Sequence, residues 1–576
     1  MEQTQGSLGR ERLRDFTRVL RKYDAGLQPT KRRIIASENW WKLRNNAEEA
    51  PRTGIGSDGG FTSRSGWLHN VIVSKHADAM AAYPQPNILP REASDLPEAR
   101  RLSAIIPCVL EQNGVERTYS DAMWHKCKTG TAVYKILWDT GKLGGLGDIR
   151  IQRVNLLNLY WEPGVEDIQN SRYLFHTELV DRDLLEERYP DLAEEFRGQS
   201  FLSGKFLYDD LVDTENKLTV IEVYYHKYCQ GKKTLQYCRY VNEVVLYATE
   251  NDPELSQRGL YDHGMYPYDF DPLFPIEGSP CGYGYVDVCM NPQTEIDLMK
   301  TSFVKSSQLG ATPRFFARQD GAVNETEFLD LSRPIVHVSG NLGQDSVRQI
   351  EFRPLSDVYV GILDRTIQEL RQTSGNTETS TGNLASGVTA ASAIAALQEA
   401  SGKGSRDAAQ SAYRSFERIV GMCIELIRQF YSLPRQFRIL GAMGGEEYIS
   451  YTNAGLQPID QGADFGYHMG CRLPVFDIKV TAQKKSPYNT ASQNELALQF
   501  FKLGFFDPGK AEQAMGCLEL MEFEGKAAVM QKLARQAQLY RQLEHYRSTL
   551  PGGPLPVLRE RDPLEQARLR AGSAGQ

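Results

Sequence analysis

The sequence has no run of about 20 consecutive apolar residues, so no membrane-spanning helix is expected and no membrane partner is inferred. It also lacks paired cysteines. The nine present (108, 127, 229, 238, 281, 289, 423, 471 and 517) are dispersed, without any C-x-x-C. That spacing argues against a disulfide framework or a zinc-thiolate site and predicts buried free thiols. The opening stretch from Met1 to Arg14 is polar, without the apolar segment of a signal peptide, and predicts a cytosol-like compartment.

Signatures of catalysis are missing as well. Gly402-Lys403-Gly404-Ser405 superficially resembles a phosphate-binding loop. The pattern G-x-x-x-x-G-K-[ST], however, needs glycine where Leu397 stands and serine or threonine where Gly404 stands. The segment also sits within a helical pattern rather than after a buried strand. Gly282-Tyr-Gly-Tyr-Val286 lacks the third glycine and the βαβ frame of a dinucleotide site. No G-x-S-x-G, H-E-x-x-H or EF-hand pattern occurs. The nine histidines stand singly, and the acidic pairs Glu186/Glu187, Asp269/Asp271 and Glu446/Glu447 read as solvated helix faces or loops. No catalytic, cofactor or metal site is therefore expected; an enzyme would need a site assembled only in three dimensions.

What is there is an ordinary globular composition: 576 residues, 41% hydrophobic and 24% charged, with a formal net charge of −7. An acidic chain does not wrap nucleic acid tightly, although it can guide it. The exception is local. Residues 10–44 carry eleven Lys/Arg against four acids, on a helical pattern with Leu13, Phe16, Val19, Leu20 and Tyr23 on one face. A solvated charged face is the first reading of that excess; an acidic partner or DNA is the second.

The periodicities predict an α+β chain. Helices are expected over 67–82, 102–113 and 119–129, then strands over 131–138 and 148–154 around a glycine-rich turn. A helix follows from about 181 to 189, then a hairpin of 218–228 with 235–249. A helix over 285–308 and another from Pro354 to about Thr373 flank an insert with strand candidates 314–318 and 335–338. The small, polar segment 374–388 is aperiodic. It leads into the longest helical pattern, 389–431, where Gly402 and Gly404 predict a kink. Strand patterns return at 436–440, 447–451 and 475–482, then helices over 487–550 broken at Asp507-Pro-Gly; the tail 551–576 is rich in Pro, Gly and charge and is expected to be disordered.

This order of pieces resembles the portal proteins of tailed bacteriophages. Local sequence does too. Gly278-Ser-Pro-Cys-Gly-Tyr-Gly284 with Gln293-Thr-Glu-Ile-Asp297 is similar to the approach to the first stem helix of many portals. Trp138-Asp139 with Leu159-Tyr-Trp-Glu-Pro163 resembles a wing hairpin, and Thr389-Ala-Ala-Ser-Ala-Ile-Ala-Ala-Leu-Gln398 the helix after the tunnel loop. The resemblance implies a portal-like architecture: an α/β wing (1–284 and 432–486), a helical stem (285–309 and 354–373) and a small β-containing clip (310–353). It further implies a tunnel loop (374–388), a long kinked helix (389–431), a helical crown (487–550) and a disordered tail (551–576).

It also implies partners: about twelve copies of the chain in a ring, double-stranded DNA, terminase, head-tail adaptors, and major capsid and scaffolding proteins. The place would be the capsid portal vertex of the virion, assembled in the bacterial cytoplasm. Asp357, Asp364 and Glu369 on the second stem helix and Glu378 in the loop would repel phosphates along a channel. Asn376, Thr377, Thr379, Ser380, Thr381 and Asn383 would touch the passing backbone without reading sequence. Arg314, Arg318 and Arg333 would face terminase or adaptor. The competing readings are a nucleic-acid-processing enzyme and an oligomeric virion adaptor that conducts no DNA.

Overall fold

The structure, a computed structural model, describes residues 8–43, 63–196, 216–229, 231–311, 315–317, 324, 326, 337, 347–349, 357–376, 403–440, 446–461, 463–464, 467–468, 470–482, 497–519 and 526–549. The chain divides into two units, Met1–Lys484 and Lys485–Gln576. In the first, α1 (Arg10–Trp41), α2 (Trp67–Ala81), β1 (Pro84–Pro90), α3 (Leu96–Gln112) and α4 (Val115–Thr129) come first. Then follow β2 (Thr131–Asp139), β3 (Asp148–Arg153), β4 (Leu159–Trp161), β5 (Tyr173–Asp181), α5 (Arg182–Arg188), β6 (Lys217–Cys229), β7 (Lys232–Val241), β8 (Val244–Ala248), α6 (Leu255–Arg258) and β9 (Tyr268–Pro272). The two-residue strands β10 (Phe274–Pro275) and β11 (Gly282–Tyr283) lead into α7 (Tyr285–Ala311), β12 (Phe315–Ala317), β13 (Val347–Gln349), α8 (Asp357–Ser374) and α9 (Lys403–Phe430). The arrangement is α+β, as expected.

On α1, Leu13, Phe16, Leu20, Tyr23, Leu27 and Ile34 are buried, most of them three or four apart, as one helical face requires. Val19 lies at the margin of this stripe, partly buried. The stripe packs on an antiparallel sheet of order β4-β5-β6-β7-β8. The Phe16 ring meets Tyr173 on β5, Tyr225 on β6 and Tyr240 on β7 at centroid distances of 5.7, 5.3 and 6.4 Å. The helix crosses the end of β4 at Gly26, where a Cβ would come within 2.6 Å of Pro163 Cγ.

The basic excess of α1 is answered from within the chain. Arg10 pairs with Glu195 (3.4 Å), Arg12 with Glu250 (3.6 Å) and Arg14 with Glu243 (2.7 Å), while Lys31 bonds Asp24 and lies 3.6 Å from the centre of the Tyr160 ring. Three of these acids sit in the connections around the sheet, and Asp24 is on α1 itself.

A second sheet, β3-β2-β9, is covered by α4 and α9. Its outer strand β9 departs from expectation. Asp269 and Asp271 are not solvated but buried on it, facing cations of the two helices. Two other differences have simple causes. The stretch 235–249 is two strands, because Asn242 adopts a left-handed turn (φ 53°) between β7 and β8. β1 is a strand despite prolines at 84, 86 and 90. It pairs on one side only, antiparallel to Phe476–Ala482, so missing amide protons cost no ladder bond on the free side. The candidate 314–318 is a strand over β12, paired with β13; of 335–338 only His337 is among the described residues. All nine cysteines are free, five of them buried as expected, but Cys471 is exposed.

Beyond α9, β14 (Arg435–Leu440) and β15 (Glu446–Tyr451) form a hairpin. The two-residue strands β16 (Ile459–Asp460), β17 (Ala463–Asp464), β18 (Tyr467–His468) and β19 (Cys471–Arg472) lead to β20 (Phe476–Ala482), the partner of β1. In the second unit, α10 (Ala511–Glu519) and α11 (Lys526–Thr549) pack through Leu518, Leu533 and Ala537 with Phe500 and Ala511. The break expected at Asp507 is a short turn in which its carboxylate accepts from Gly509 N at 3.2 Å.

Candidate functional site

The glycine motif before α7 has a steric reason. Gly130 ends α4 at φ 87°, and its backbone lies directly against Gly282 and Gly284. A Cβ on Gly282 would sit 2.6 Å from the Phe274 carbonyl, and one on Gly284 would collide with the Lys128 carbonyl. Only glycine lets the two backbones touch where α7 begins.

The second motif works about two turns further on. Gln293 and Asp297, four apart on α7, are both buried and aim at the start of α2. The Gln293 side-chain oxygen accepts from Leu68 N at 3.0 Å, and Asp297 accepts from Ser65 N and Ser65 Oγ at 2.8 and 2.6 Å. Gln293 Nε2 donates in turn to the Ser65 carbonyl at 3.0 Å. α2 has Gly66 at its N-cap and no side-chain cap of its own. One of its free first-turn amides, Leu68 N, is satisfied by α7 instead. The two helices are joined by these bonds and by the shared apolar cluster of Leu68, Val71, Ile72, Val286, Cys289 and Ile296.

α8 packs beside α7 but buries little. Its only fully buried apolar side chain is Leu370, with Leu363 and Ile367 partly covered. Val358, Tyr359, Val360 and Ile362 are 68, 50, 46 and 43% exposed. The expected channel residues Asp357, Asp364 and Glu369 are all exposed on this helix, with Arg365 exposed beside Asp364. Asn376 is different. It was expected in a channel-facing loop, yet it is only 5% exposed, and Ser74 Oγ donates to its side-chain oxygen at 3.3 Å. The turn that ends α8 folds it back under α2. Thr377, Glu378, Thr379, Ser380, Thr381 and Asn383 lie outside the described residues, as do Arg314, Arg318 and Arg333. So does the expected kink at Gly402; Gly404 sits in the first turn of α9.

α9 is held by the acids that sequence reasoning assigned to solvent. Along one face of α9, Ser411 Oγ donates to Asp271 at 3.1 Å, while Ser415 and Arg418 both bond Asp269. Lys126 of α4 closes the ladder with a 2.6 Å bond to Asp271, both side chains being buried. Burial pushes the Asp269 carboxyl up to about 6, against the pull of the Arg418 guanidinium. These are structural ion pairs inside a packed interface.

The geometry is therefore a body of two sheets and a seated α2, with α7 and α8 side by side and the outer half of α8 uncovered. Residues 77–546 match the family of phage P22-like portal proteins. The chain belongs to that family. No curated protein matches it. As a portal protein it is a structural, non-enzymatic component of the phage head, at a capsid vertex of the virion, and it serves DNA packaging and head-tail connection. Portal membership carries an oligomeric ring and contact with capsid and DNA.

Proposed function

We propose that about twelve copies of this chain close into a ring, with α7 and α8 as the stem around a DNA channel. The observation that carries this reading is the uncovered apolar surface of α8, from Val358 to Ile362. An isolated subunit gains nothing from leaving four large apolar side chains in water, whereas a neighbour's stem buries those that face it at about 25 cal/mol per Å². A closed ring covers the same surface on every copy.

Asp357, Asp364 and Glu369 then face DNA as rings of carboxylate, repelling phosphates so that the duplex slides without sticking. Thr377, Glu378, Thr379, Ser380, Thr381 and Asn383 belong to the tunnel loop, and Arg314, Arg318 and Arg333 to the clip that docks terminase and later the adaptors. The wing comprises 1–284 and 432–486, the long helix 389–431 and the crown 487–550. Assembly takes place in the host cytoplasm with scaffolding and major capsid proteins.

Negative-stain imaging of purified protein tests the reading. A ring with an axial channel supports it; a monomer or small dimer at all concentrations overturns it; a closed ring with no channel points to an adaptor. Deleting residues 378–387 should leave rings intact while DNA packaging or retention falls.

A further inference from the structure

One turn of α2 holds both the end of α8 and the start of α9. α8 stops in a left-handed turn at Gly375 (φ 65°), where Gly375 N donates to the Gln372 carbonyl at 3.1 Å and Asn376 N to the Arg371 carbonyl at 3.0 Å. This turn presents the Gly375 carbonyl to Lys75, whose Nζ lies 3.4 Å away. The same Nζ donates to Ser405 Oγ in the first turn of α9 at 3.0 Å. Ser405 Oγ donates in turn to Asp78 Oδ2 at 2.8 Å, and Asp78 lies 3.7 Å from the ammonium. The Tyr285 ring, at the first residue of α7, is 5.9 Å from Nζ.

Lys75 is only 6% exposed. Burying an ammonium is expensive unless its three protons find partners, and a leucine or methionine would fill the same space without that cost. The partners here are a helix-terminal carbonyl, a first-turn hydroxyl and a half-exposed carboxylate. They come from three separate stretches of chain, and one nitrogen joins them. Ser74, the neighbouring residue, adds its bond to Asn376.

We propose that Lys75 is a positioning residue that ties the C-terminus of α8 to the N-terminus of α9, so that a displacement of one is transmitted to the other. The connection between the two helices thus leaves from and returns to one fixed point on α2. The coupling itself stands on these contacts alone; its consequence for DNA rests on the portal reading.

Amide hydrogen exchange on the full-length chain tests it, read at residues 371–376 and 403–409 in Lys75→Met, Ser405→Ala and the double variant. Lys75→Met should raise exchange about tenfold at both ends, with β6 and β7 unchanged. Ser405 lies on α9 and, among the described residues, makes no contact of its own with α8, so Ser405→Ala can reach 371–376 only through Lys75. It should raise exchange there too, and the double variant should be no faster than Lys75→Met alone. A rise at one end only, additive effects, or no rise at all overturns the coupling. If Lys75→Met does not fold, Ser405→Ala alone decides through 371–376. In assembled particles Lys75→Met should still form rings but lose DNA retention. Unchanged retention with coupled exchange would keep the tie and remove its role in holding DNA. Failure of the parent chain to form rings would count against the portal reading and leave the exchange result intact.

Discussion

α8 and α9 are neighbours in sequence, and both are patterned with apolar residues at helical spacing, yet they complete their burial in different ways. α9 hides Phe416, Ile419, Val420, Cys423, Ile424 and Ile427 against the body of its own chain and bonds Ser411, Ser415 and Arg418 to buried carboxylates. α8 buries Leu370 at one end and leaves Val358, Tyr359, Val360 and Ile362 to solvent. A periodic stripe therefore states that a helix wants a partner, not where that partner comes from. α9 is part of what makes one subunit fold; in the proposed ring, α8 is completed by a second copy.

The sharpest way to break this contrast is to attack the side on which burial is complete. Asp271→Ala leaves the Lys126 ammonium buried without its 2.6 Å partner. The loss of subunit stability should be about 3–5 kcal/mol, read by urea denaturation. A small loss would mean that water reaches Lys126 and that the seam is less closed than its burial indicates. Ile427→Ala probes the apolar half of the same helix and should cost about 2–5 kcal/mol through the cavity it leaves. Both variants should impair folding of the subunit before any question of assembly arises.

The seam also shows what the sequence could and could not disclose. Helices with a clean stripe were legible: α1, α2 and α7 lie where their periodicity puts them, and α9 follows the described part of its pattern, from Lys403 on. The motif Gly282-Tyr-Gly284 was visible, but its purpose was not, because the backbone it must meet belongs to Gly130 and Lys128, far away in the chain. β9 was missed altogether. Alternating Asp269 and Asp271 followed by Pro272 reads as a solvated loop, and the cations that make it a buried strand come from Lys126 and Arg418. Lys75 carries no local signal either, since one lysine on a helix is ordinarily a solvated one. The candidate channel acids on α8 were readable as exposed positions. Asn376 was misread, because a polar residue after a glycine looks like loop until the turn ending α8 buries it. Long-range pairing of charge is what local pattern omits.

Asp269 offers a milder perturbation of the α9 side. Its carboxyl titrates near 6 in the folded chain because of burial, above the ordinary aspartate range. The folded state therefore binds this proton more tightly than the unfolded state does. Its contribution to stability rises as pH falls from about 6 towards 4 and is lost as pH climbs back through that window. Asp269→Asn removes the titration. The stability of the variant minus that of the parent should grow by on the order of 2 kcal/mol between about pH 4 and pH 7. A flat difference would mean that Arg418 fully offsets the cost of burial.

The smallest effect on the subunit, and the most informative for the ring, comes from α8. Successive helical residues point about 100° apart, so Val358, Tyr359 and Val360 face three different ways and cannot all meet the same surface. Replacing each in turn with aspartate, and Ile362 likewise, should change subunit stability by less than about 0.5 kcal/mol, because these side chains already lie in water. Assembly should respond unevenly. Positions pressed against a neighbouring stem should abolish the ring in native mass measurements, since a carboxylate would be desolvated there without a partner. A position facing the channel should leave the ring intact and add one more carboxylate beside Asp357 and Asp364. If all four variants assembled normally, the uncovered half of α8 would not be a subunit contact, and the contrast with α9 would lose its explanation.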